Sequence, residues 1–197
     1  MIGFRGAAKA CDNDDLIATA FHLEASLAAF KAVLEVASGG SGFDQAGRVT
    51  ARFERHIFYH QLQDKRLRAR AVRAGLAYSR WGERPYPASS DETYDEIRRA
   101  VKIDQEAALI STAWGLGQVM GYQFRLCRCS SVEQLVREAQ ESEANQLYQM
   151  ATVILELGLT DELTGMDWLG FAKGYAGPGY TRSAYDERLA QAYARYV

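Results

Sequence analysis

No run of about 18 or more apolar residues occurs in the chain, so no single segment has the length and composition of a bilayer-spanning helix. Met1 to Asp15 lack the basic start and continuous apolar stretch of a secretory signal, so any export is expected to use another route. Cysteine is scarce: Cys11, Cys127 and Cys129 are the three among 197 residues. The odd count excludes a complete disulfide framework, and Cys127 and Cys129 are too close in sequence for an easy unstrained bridge. No second Cys pair or nearby His completes a zinc tetrad, so the three are expected as reduced, buried or half-buried thiols. His56 and His60 stand four apart on an expected helix, but the His-Glu-x-x-His arrangement of a zinc protease is missing and Ile57-Phe58-Tyr59 between them reads as packing. No metal and no cofactor are expected.

An excess of charge of one sign is also lacking. The 23 basic and 25 acidic side chains nearly cancel, which gives no reason to expect nucleic acid as a ligand. Locally the balance breaks, because Lys65, Arg66, Arg68, Arg70, Arg73, Arg80 and Arg84 cluster. They form either a solvated face or a patch for an anionic wall polymer or lipid headgroup. Internal repeats, low-complexity tracts and long linkers are absent, so a single domain over 1–197, acting as a monomer, is expected.

What is present is an ordinary globular composition, 48% hydrophobic and 24% charged, with helical spacing dominant. Leu23, Leu27, Phe30 and Leu34 share one stripe, and Leu147, Met150, Ile154 and Leu157 another. Helices are predicted near 57–63, over about four turns from Ser90, and near 115–126, 131–157 with a break at 141, 167–175 and 185–196, with Gly158 as a C-terminal cap. Ser38-Gly39-Gly40-Ser41-Gly42 ends the first apolar helix, and the tight turn Asp44-Gln45-Ala46-Gly47 would let Gly42-Phe43 pair with Val49–Phe53 as a hairpin. The expected class is mainly α, with a small hairpin beside an early helix.

Glu35 ends that helix just before the glycine-rich bend. Flanked by Leu34 and Val36 and placed at the negative end of a helix dipole, a carboxyl there is expected to be desolvated, protonated near neutral pH, and able to act as a general acid. A surface glutamate ending a helix is the alternative.

The segment Ala32 to Phe43 resembles the Glu-Ser/Gly signature of goose-type lysozymes and lytic transglycosylases. Ser111 to Gly121 is similar to their Gly-Leu-Met-Gln-Ile-Met segment, with Gly117 where Met is common. Phe53-Glu54-Arg55-His56, Trp114 to Gly121, and Asp167 to Ala172 with Tyr175 to Tyr180 resemble, in order, motifs of the N-acetylmuramidase family of phage endolysins. Two positions depart from the family pattern: Ala176 stands where Asn is usual, and Ala46 where an acidic residue often precedes the hairpin glycine.

The resemblance implies a lysozyme-like fold and cleavage of the β-1,4 bond between N-acetylmuramic acid and N-acetylglucosamine in peptidoglycan. Glu35 would protonate the glycosidic oxygen. Glu54, returning on the hairpin, is the candidate second carboxylate, with Asp44 as substitute; a structural partnership of Glu54 with Arg52, Arg55 or His56 is the alternative. Gln118 is expected in the cleft or bonded to Glu35, Ser111 and His56 beside the substrate, and Tyr175 and Tyr180 stacked on sugar rings. Action on the periplasmic wall by a protein made in the host cytoplasm follows, with no stable membrane insertion. A lytic transglycosylase and an inactive peptidoglycan-binding module are the competing readings.

Overall fold

A computed structural model describes residues 3–197, the side chain of Pro178 excepted. Met1 and Ile2 of the expected 1–197 domain lie outside the described residues. Asp12 caps α1 (Asn13–His22) through a reciprocal capping box with Asp15. The chain turns at Glu24, and Ser26 caps α2 (Leu27–Ser38), which ends at Gly39 in the left-handed conformation (φ 74°). Leu23 is therefore the C-cap of one helix and Leu27 the start of the next, so the stripe drawn through both is broken.

After the Gly-rich bend come β1 (Ala51–Phe53), α3 (Arg55–Gln61), α4 (Lys65–Arg73), α5 (Ser90–Val101) and α6 (Gln105–Ile110). Then follow β2 (Thr112–Trp114), β3 (Val119–Met120), α7 (Val132–Glu141), α8 (Glu143–Glu156), α9 (Thr160–Thr164), α10 (Trp168–Tyr175), α11 (Tyr180–Ser183) and α12 (Tyr185–Tyr193). The result is the mainly helical α+β architecture expected, and the apolar faces of its helices meet in one core.

Two expectations are corrected. The hairpin closes only at one bridge, Phe43 to Val49, and β1 pairs instead with β2, in an antiparallel sheet of order β1-β2-β3 with Ala51 opposite Trp114. The helix expected at 115–126 is a strand, a turn and a second strand, followed by a short 3-10 turn at Gly121–Gln123. The reason is local: Gly115 (φ 72°) and Gln118 (φ 50°) both take left-handed backbone, which no helix tolerates. Most of the basic cluster lies on α4, capped by Asp64, with Ala71 its one fully buried residue. Leu157, counted as core, is 39% exposed at the end of α8. The three cysteines are free, and burial pushes each thiol up to about 12.

The break between α7 and α8 falls at Ser142, whose hydroxyl caps α8. It brings two polar side chains of α8 against distant loops. Glu143 accepts the amides of Gly42 (2.7 Å) and Cys11 (3.0 Å). Gln146, 1% exposed, accepts the Leu116 amide at 2.8 Å and donates to the carbonyls of Ala139 (2.8 Å) and Gly42 (3.3 Å). On the other side Arg48 is held by Asp44 and Asp91 over the ring of Tyr94, whose hydroxyl donates to the Val49 carbonyl at 2.6 Å. These ties fix the Gly42 bend, β1 and the Leu116 turn relative to one another.

Replacing Gln146 by Leu keeps the volume but strands the Leu116 amide and the Ala139 carbonyl, while the Gly42 carbonyl keeps the Thr50 amide at 2.8 Å. A loss of about 2–4 kcal/mol is expected, read as a lower urea midpoint at unaltered m-value. An unchanged midpoint would show that the loops are held by other contacts.

Candidate active site

A groove with a volume of about 280 Å³ opens where α2 ends against the sheet. Its walls are Ala37 and Ser38 from α2, Thr50 to Phe53 along β1, Thr93 of α5, Gln118 of the β2–β3 turn, and Tyr86-Pro87 from the irregular segment before α5. Gln118 is held in place by its own amide, which donates to the carbonyls of Gly115 (3.0 Å) and Thr50 (3.2 Å). Beneath it Tyr175 stacks on Phe171 and donates to the Gly117 carbonyl at 2.7 Å.

Glu54 lies directly behind this wall. It is the N-cap residue of α3, its amide bonds the Ser111 carbonyl at 2.8 Å, and its side chain is 8% exposed. Tyr86 donates its hydroxyl to the carboxylate at 2.8 and 3.0 Å, Arg52 approaches through Nε at 3.1 Å, and His56 Nδ1 lies at 3.4 Å. The Trp81 indole donates in turn to the Tyr86 hydroxyl at 3.1 Å, and Arg182 of α11 stacks 5.2 Å over the Trp81 ring. Burial favours the neutral acid, but the His56 hydrogen bond, the Arg52 charge and the Tyr86 hydroxyl together outweigh it and hold Glu54 below the ordinary 4.5. The same contact, added to burial, pushes Tyr86 up to about 12. At rest the site therefore contains an ionised carboxylate, suited to accepting a proton or facing a developing positive charge.

Glu35 does not line the groove. On α2 it stands two positions, or about 200° of helix, from Ala37, which does. Its carboxylate pairs with Arg195 and accepts the Tyr196 hydroxyl at 2.8 Å, on the side covered by α12. Those hydrogen bonds from Tyr196 and Arg195 lower its pKa, the opposite direction to the one expected for a desolvated acid. A glutamate read only against its neighbours in the chain gives no sign of Arg195 and Tyr196, which lie 160 and 161 residues further on.

The remaining candidates divide. Gln118 lines the groove but bonds backbone rather than Glu35, and His56 is a partner of the buried carboxylate. Ser111 is 0% exposed and Tyr175 is committed to Gly117, so both support the site from behind and neither reaches a sugar. Tyr180 is half-buried at the start of α11 and is not among the groove-lining residues. Asp44 is 9% exposed and bound by Arg48 and by the amides of Ala46 and Arg48, which makes it the lock of its turn rather than a spare catalytic group. His60 faces the Ser79 carbonyl at 3.1 Å, and among the described residues no group of three or more His, Cys, Asp or Glu is placed to hold a metal. Arg52 and Tyr86 were missed as site residues; the Pro85-Tyr86-Pro87 sequence, which fixes how an aromatic is presented, was the available signal for the second.

A family model described as N-acetylmuramidase matches residues 26–197. No curated protein matches the sequence. Among solved structures, the fold is similar to the crystal structure of the Burkholderia AP3 phage endolysin, with 32% identity, a TM-score of 0.78, and coverage of 95% of this chain and 71% of that one. The match spans α2, the sheet, the groove and α12 together, and the chain belongs to the N-acetylmuramidase family, glycoside hydrolases that degrade peptidoglycan.

Proposed function

We propose that the chain cleaves the β-1,4 bond between N-acetylmuramic acid and N-acetylglucosamine with the glycan strand lying in the groove beside α2, and that Glu54 moves the proton. The observation that carries this reading is the placement of Glu54 as a buried carboxylate separated from the groove only by two side chains, Arg52 and Tyr86. Arg52 is half exposed and Tyr86 sits on a segment without regular secondary structure, so a sugar ring can displace both.

Once they move, burial, which favours the neutral acid, is opposed by His56 alone among the three. Glu54 would then take up a proton and deliver it to the glycosidic oxygen as the bond to the anomeric carbon breaks. Water adds to that carbon and returns a proton to the carboxylate, and loss of that proton to solvent as the product leaves restores the ionised resting state. The site of action would be the peptidoglycan layer of the periplasm, with the protein working as a monomer. A mechanism through the one carboxylate Glu54 also suits a second reading, a lytic transglycosylase, in which the hydroxyl on C6 of the muramyl sugar attacks in place of water. Mass spectrometry of digested sacculi separates the two, because only the second leaves 1,6-anhydro ends.

Glu54→Gln is expected to lower glycan release at least about a hundredfold, the scale for losing a proton-transfer group, with binding to sacculi retained. Glu35→Gln should leave release within about twofold, as for a surface ion pair. The opposite pattern would return the role to Glu35, and a wild type as inert as Glu54→Gln while both bind would make the groove a wall-binding module.

Linkage gives an independent check. Because the folded-state pKa of Glu54 is depressed, its partners stabilise the fold above the unfolded value near 4.5, and that contribution disappears as pH falls through the lower folded value. The stability gap between wild type and Glu54→Gln should therefore be full at pH 7 and narrow below about pH 4.5, followed by urea unfolding at each pH.

A further inference from the structure

Arg52 is the one charged side chain among the described residues that line the groove. It points outward from the exposed position of β1, between half-buried Ala51 and buried Phe53. Its guanidinium spends one nitrogen, Nε, on Glu54 and lies 5.7 Å over the Tyr86 ring. Among the described residues no hydrogen bond engages its two terminal nitrogens, which are the pair that grips a carboxylate in a fork. Half exposure keeps the cost of desolvating it small.

We propose that Arg52 is a carboxylate-binding subsite of the groove, which takes the free carboxylate borne by the muramyl sugar on its lactyl ether or its attached peptide and is thereby drawn off Glu54. The inference rests on the reading of the groove as a glycan site. The chemistry fits because the two sugars of the wall differ in one respect that a lone cation can sense: the muramyl unit carries anionic substituents and the glucosaminyl unit carries none. Binding in this register sets which of the two alternating glycosidic bonds lies over Glu54.

Occupation of the subsite also changes the carboxylate behind it. The groups that face Glu54 are Arg52 on β1, His56 on α3, Tyr86 on the segment before α5, and Tyr122 on the turn after β3. Transfer of Arg52 to the substrate removes a positive charge from this set and brings a negative one close. Both changes favour proton uptake by Glu54 just when a leaving group arrives.

The test is a binding titration followed by NMR on wild type, Arg52→Gln and Arg52→Lys, with three probes: N-acetylglucosamine, N-acetylmuramic acid with its free lactyl carboxylate, and N-acetylmuramyl-L-alanyl-D-isoglutamine, whose carboxylate is on the peptide. Wild type should bind at least one carboxylated probe about tenfold more tightly than N-acetylglucosamine, and the tighter of the two identifies the source of the carboxylate. Arg52→Gln should abolish the preference, so that the carboxylated probes bind no more tightly than N-acetylglucosamine, and Arg52→Lys should keep part of it. Equal binding of all three probes by wild type, no binding of either carboxylated probe, or a preference that survives in Arg52→Gln would overturn the proposal. Failure of the hydrolase reading shows elsewhere, as glycan release that Glu54→Gln leaves intact, so the two outcomes are separable.

Discussion

One buried amide, that of Gln146, is the tie on which the geometry of the groove depends. Its three hydrogen bonds join the Gly42 bend, the Leu116 turn and the end of α7, which lie 104, 30 and 7 residues from Gln146 in sequence. Gly115 packs so close to it that an added Cβ would stand 2.6 Å from the Gln146 oxygen, so the left-handed turn and the buried amide require each other. Because the Leu116 turn also presents Gln118 and rests on Tyr175, the floor and one wall of the groove derive from this junction. The free energy that holds the site is thus spread through α8 and α10, away from the surface where a glycan would lie.

Against that rigid frame the charges are arranged asymmetrically. Glu35 and Glu54 are both ionised, but for different purposes. Glu35 fastens the C-terminal residues Arg195 and Tyr196 to α2, whereas Glu54 is buried and balanced by three groups that approach from three separate elements. A carboxylate whose charge is sustained by movable neighbours has a proton affinity that depends on whether those neighbours are present. In the proposed mechanism, a group placed behind the groove rather than in it would keep a stable resting state and couple protonation to filling.

The parts of this molecule that were legible in the sequence are those with strong apolar periodicity. The region 131–157, its break and the Gly158 cap follow from a spacing that tertiary context does not override, and α5 and α10 follow in the same way. The sheet was less legible because Trp114 to Met120 is apolar and glycine-rich, a composition shared by buried strands and tightly packed helices alike. Helix α4 escaped because it buries little beyond Ala71, so no stripe betrays it. Glu54 and Gln118, expected near the cleft, lie respectively against and in the groove. The orientation of Glu35 was not legible, because one helix turn offers several faces and the choice between Glu35 and Ala37 is made by α12, which returns about 150 residues later to cover one of them.

The hydrogen bond from Trp81 to Tyr86 has a consequence outside chemistry. The other two tryptophans are spoken for: Trp114 is 1% exposed, and Trp168 packs against Tyr193 at 5.5 Å. Trp81 alone sits on the movable segment, under a stacked guanidinium and one hydroxyl away from the buried carboxylate. The displacement of Tyr86 proposed for glycan binding would take away that indole's partner and write the occupancy of the groove into the protein's own ultraviolet emission.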